Sequence, residues 1–147
     1  MKEFGIKIAY GFELKGIIQI LGYSVSCRIK ISIPDILIDV QMSPMTLGDG
    51  LFAVHRSLKD SKNGPSFLVK ISKEDFVVDI KGAICFLGVQ AEAVVKITKK
   101  EFYLKMNVDL FGIIKGNLLV QATKEGFKVC CSTVFFLLIH QIGLSIP

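Results

Sequence analysis

The chain has 147 residues, a formal net charge of +5 and 51% hydrophobic residues. That is one domain's worth of sequence with ample material for a core. The lysines are scattered along it, which points to solvated strand faces and turns and away from a nucleic-acid-binding run.

The opening stretch, "MKEFGIKIAYGF", has no uninterrupted apolar run and does not read as a signal peptide. Apolar and polar residues alternate from residue 4 to residue 20. A period of two means strand, and this length suggests a break near Ala9–Gly11. Further strands are expected at 23–33, 36–46, 66–72, 76–86, 89–98, 102–110, 114–123 and 127–139. The run "VFFLLI" at 134–139 is too short to span a bilayer as a helix.

Nearly the same sentence recurs as "KISIPDILIDV" (30–40), "KISKEDFVVDI" (70–80), "KITKKEFYLKM" (96–106) and "QATKEGFKVCC" (121–131). Each copy is two alternating runs around a polar cluster, which is a hairpin. Asp35, Asp75, Glu101 and Gly126 fill the same turn slot, and Pro34 belongs in a turn because it cannot donate to a ladder. The register follows: Ile97 with Phe102, Val95 with Leu104, Ile31 with Ile36, Ile71 with Phe76 and Val120 with Val129. A slip of one residue would turn all of these outward. On the other face Arg28 meets Asp39, Glu13 meets Lys30 and Asp79 meets Lys96 as opposite-charge neighbours.

A second turn type appears in "KGIIQILG" (15–22) and "KGAICFLG" (81–88), where Leu21-Gly22 and Leu87-Gly88 read as two-residue loops with the glycine at positive φ. "LFGII" (110–114) is a longer version. Gly16, Gly82 and Gly116 fall mid-strand on the apolar face, where glycine usually marks a bend or a close backbone approach. One irregular insertion, 47–66, breaks the rhythm. It is read as an extra hairpin, with a short capped helix as the other option, and as the segment able to act as rim or lid.

The expected fold is therefore all-β: an antiparallel up-and-down meander of about 9–10 strands, curling into a barrel or flattened barrel, as a single domain over 1–147. The chain opens with "KEF", the letters of 100–102, so a domain cut from a longer repetitive protein is one expectation and a small complete protein another.

For function, no acyl-transfer, phosphate-loop, zinc-protease, calcium-loop or dinucleotide motif occurs, so no catalytic residue, cofactor or metal ligand is expected. His55 and His140 have no nucleophile or carboxylate pattern beside them, and the turn carboxylates are explained by turn chemistry. Cys27, Cys85, Cys130 and Cys131 form no C-x-x-C pair and read as free thiols used as small hydrophobes. The preferred reading is a non-enzymatic binding domain holding a lipid-like or other apolar ligand. Phe12, Ile18, Phe86, Met106, Val120 and Phe135 would line the site, with Leu51, Phe52 and His55 at its rim. The alternatives are a structural or assembly module, as a homo-oligomer or among neighbouring repeats, and a membrane β-barrel or pore-forming element. Tyr103 and Phe136 on the outer face are candidate interface residues. Nucleic acid is not an expected partner, membrane contact is not favoured, and the compartment stays open.

Overall fold

The computed structural model describes residues 2–8 and 11–135. Phe136, His140 and part of the expected break near Ala9–Gly11 lie outside them. The strands are β1 (Lys2–Ile8), β2 (Phe12–Ile20), β3 (Tyr23–Ser32), β4 (Asp35–Met42), β5 (Met45–Leu47), β6 (Phe52–His55), β7 (Ser66–Ile71), β8 (Phe76–Phe86), β9 (Val89–Thr98), β10 (Glu101–Leu110), β11 (Ile114–Thr123) and β12 (Gly126–Phe135). No helix occurs among the described residues. The all-β antiparallel meander is as expected.

The main path of the sheet runs β1-β2-β3-β4-β7-β8-β9-β10-β11-β12. The register is the one that period-two patterning demands: Ile97 faces Phe102, Val95 faces Leu104, Ile31 faces Ile36, Ile71 faces Phe76 and Val120 faces Val129. β1 and β12 are not hydrogen-bonded to one another, so the sheet is not closed.

The irregular segment resolves into the extra hairpin. β5 and β6 pair with each other, and β6 also pairs with Ala83–Phe86 of β8. β7 takes the other half of β8, from Phe76 to Lys81. β6 and β7 are thus two halves of one return strand, and 56–65 is a loop let out between them. Its neck is closed by the Arg56 N–H donating to the Asn63 carbonyl at 2.7 Å. Inside it the Asp60 carboxylate accepts from the Asn63 backbone and side chain, a turn that aspartate makes readily. Pro65 re-enters the sheet, its carbonyl accepting from the Met42 N–H at 3.0 Å.

Turns at one end of the sheet are mostly polar, Ile33-Pro34 excepted; those at the other are tight corners. In the corners both residues take positive φ: Leu21 and Gly22 (51° and 83°), Leu87 and Gly88 (47° and 84°), Phe111 and Gly112 (56° and 70°). Positive φ at both central positions is the hairpin geometry that matches strand twist. It is free for glycine and uncommon for leucine or phenylalanine. The sequence pattern places the turns but assigns positive φ to the glycines alone.

The expected cross-strand charges stand in register, yet the ion pairs form elsewhere. Glu13 binds Lys15 on its own strand and Arg28 diagonally on β3, both at 3.1 Å, and Asp79 binds Lys81 at 3.1 Å. Residues i and i+2 share a face, and a lysine side chain spans that interval as easily as the gap between strands.

Over the described residues the fold has almost no core. Among the described residues Ala53 and Ala83 are the buried hydrophobic side chains, 5% and 2% exposed. The chain exposes 11009 Å², against about 7,400 Å² for a compact monomer of this mass. The ladders and their cross-strand side-chain pairs hold the sheet together.

Candidate functional site

Strand alternation puts one set of side chains on each face. On one face a line of residues in register crosses nine strands: Gly16, Cys27, Val40, Phe67, Ile80, Val95, Leu104, Val120 and Val129. The next line, from Leu14 through Ile38 and Val78 to Phe127, is as apolar. Neither holds a charge. At the usual strand spacing they cover roughly 38 Å of sheet. Phe67, Ile80, Ile84, Phe86, Phe102 and Met106 on this face are exposed. An uncovered apolar surface of this extent marks a binding or interaction site.

The face has a low place. Gly82, Ala91 and Ala93 are neighbours on β8 and β9, and taller Met42, Phe67, Ile84 and Met106 stand around them. The resulting depression has a volume of about 420 Å³, in the range of small-molecule sites. Gly82 is not there for want of space: a Cβ on it would meet Pro65 at an ordinary 3.7 Å, and one on Gly116 would meet nothing. The close backbone approach that a mid-strand glycine can serve is absent at both. These positions lower the floor.

The six residues singled out from sequence, Phe12, Ile18, Phe86, Met106, Val120 and Phe135, all belong to this face by register. Met106 borders the depression, while the others spread from β2 to β12. Leu51, Phe52 and His55 do not form one rim. Phe52 joins the apolar face, its ring meeting that of Phe86 edge-on at 6.3 Å. Leu51 sits at a corner, and His55 alternates to the opposite face beside Ala83. Sequence reading missed the low floor itself, although the pairing of Gly82 with Ala93 and of Ile84 with Ala91 was legible from register.

The opposite face is polar at mid-sheet. Glu92, Asn107, Asn117 and Ser132 stand in one line. Asn107 donates to Glu92 at 3.1 Å and Asn117 to Ser132 at 3.3 Å. The second Glu92 oxygen accepts from the Leu58 N–H at 2.7 Å, so the 56–65 loop is tied to this polar face at Leu58, while Pro65 at its end borders the apolar depression. Between loop and strands is an open cleft of about 630 Å³ with a mixed polar and apolar lining. Glu92 is thus held both by the loop and by Asn107. Elsewhere the bond from Lys15, helped by Arg28, holds Glu13 below its ordinary pKa, and the Asn63 side chain does the same for Asp60. Both are structural pairings. Among the described residues no group of His, Cys, Asp or Glu is placed to hold a metal ion.

Comparison with family models, curated proteins and solved structures gives no match.

Proposed function

We propose that the chain is a non-enzymatic binding domain that holds a lipid-like ligand against the apolar face of its open sheet. The observation that carries this reading is the charge-free face crossing nine strands with a low, small-residue floor at its centre. A long flexible hydrocarbon gains most from such a surface, because every methylene it lays down is removed from water, at roughly 0.8 kcal/mol each. The absence of convergent polar groups on that face favours a ligand recognised by its chain and not by its headgroup.

The test is organic extraction of the purified protein followed by mass spectrometry, on the native chain and on Gly82→Leu. The native protein is expected to yield co-purified lipid at near-stoichiometric amount. Gly82→Leu fills the depression from a position where a Cβ already fits, and should lower the yield at least tenfold while melting, after delipidation, no lower than delipidated native protein. No apolar molecule in repeated native preparations would defeat the reading.

The large exposed area favours a second reading, in which another copy or a neighbouring repeat covers the face. Light scattering on delipidated protein separates the two: a stable dimer unmoved by added fatty acid supports the assembly role.

A further inference from the structure

The two ends of the sheet differ in chemistry. At one end the turns carry Asp35, Lys73, Glu74, Lys99, Lys100 and Lys124, with Ile33, 89% exposed, as an apolar tip among them. At the other, the corner end, the tips are Leu21, Leu51, Leu87, Phe111 and Ile113. All are exposed, Leu21 at 90% and Phe111 at 65%. Three of them, Leu21, Leu87 and Phe111, hold a left-handed backbone. Asparagine, aspartate or glycine is the usual occupant of such a position, being both better suited to the turn and better solvated. The chain thus accepts backbone strain and solvent exposure together in order to present an apolar side chain at the tip. Packing accounts for little of the choice: the Phe111 ring lies against Gly88 of the next corner, yet the tips stay exposed.

Three of the corners are also tied to one another. The Leu87 N–H donates to the Leu51 carbonyl at 2.9 Å, and the Phe111 N–H donates to the Gly88 carbonyl at 3.0 Å. Three successive corners are stitched into one edge, and the ordering cost of aligning them is met in the fold itself. We infer that this edge docks on the surface of a lipid bilayer, the corner side chains entering the boundary between headgroups and acyl chains. A set of apolar tips along one end of the sheet, with Asp49 the charge among these corners, fits a broad, neutral, fluid surface. A binding groove on a protein would instead call for a cluster in depth with satisfied polar neighbours. The inference extends the lipid-binding role, since it sets the end of the apolar face against a lipid phase, but its test is separate.

That test is sedimentation with phosphatidylcholine vesicles. The native chain is expected to pellet with neutral vesicles and to keep doing so in high salt, because the edge is apolar. The triple variant Leu21→Asn, Leu87→Asn, Phe111→Asn places at each corner a residue that suits the turn. It should bind vesicles at least tenfold more weakly while melting at the same or a higher temperature, so that lost binding cannot be lost folding. Lys99→Glu with Lys100→Glu, at the other end, should leave binding unchanged. Gly82→Leu should lose co-purified lipid yet still pellet, which distinguishes failure of the docking edge from failure of the ligand site. Absence of binding by the native chain, dependence on anionic lipid with loss in salt, or full binding by the triple variant would each overturn the inference. So would a triple variant whose sole defect is lost self-association.

Discussion

A Cβ on Gly64 would overlap the Met42 carbonyl oxygen and the backbone of Ser43. The neighbours are main chain and cannot swing aside. Gly64→Ala is therefore expected to destabilise the protein by about 1–3 kcal/mol, the usual cost of forcing atoms into filled space, measured by urea unfolding. Gly82→Ala, where the nearest neighbour is 3.7 Å away, should be neutral or mildly stabilising in the same assay. The contrast shows what a sequence alone withholds at this scale. Gly64 lies in an obvious Asn-Gly-Pro turn, but nothing in the letters tells that Met42 comes against it. Likewise Leu21 and Leu87 read as turn residues. That the leucine as well as the glycine takes positive φ, at a cost of roughly 1–2 kcal/mol each, is a property of the twist of the strands they join.

At the scale of elements, the pairing of strands was almost wholly legible. A one-residue slip exposes a whole set of apolar side chains, so period-two patterning leaves one register. The choice of ion-pair partners was not legible, because a lysine reaches along its own strand as well as across. Glu13 shows the consequence. It joins Lys15 on β2 to Arg28 on β3, and its folded pKa lies below the ordinary 4.5, chiefly through the Lys15 bond. A carboxylate with a depressed folded pKa contributes stability above its unfolded pKa and loses it as pH falls through the folded one. Thermal melts from pH 7 downward should therefore show the native chain losing stability below about pH 4.5, while Glu13→Gln starts slightly lower and falls less steeply. Parallel curves would mean that the pairing is too exposed to matter.

For the whole molecule, closure was the question that patterning left open. Strand tilt and stagger decide whether a sheet meets itself, and neither is written in apolar alternation. The sheet stays open, the described residues leave its apolar face uncovered, and the residues proposed from sequence to line one cavity are distributed across it. A fold with so little buried surface depends on whatever covers that face. Delipidated protein should accordingly melt at a lower temperature than the same protein with fatty acid added at about a hundred times its dissociation constant. The expected difference is roughly 5–10 °C by calorimetry, from about 2.7 kcal/mol of linked stabilisation in a chain of this size. No shift would mean that hydrocarbon is not what the face receives. The open sheet has one more geometric property. Its main path contains an even number of strands, every adjacent pair antiparallel. The two marginal strands, β1 and β12, therefore run in opposite senses. A second sheet of the same build, abutted margin to margin, would continue the alternation without a fault, and the greasy floor would carry on across the seam like planking laid end to end.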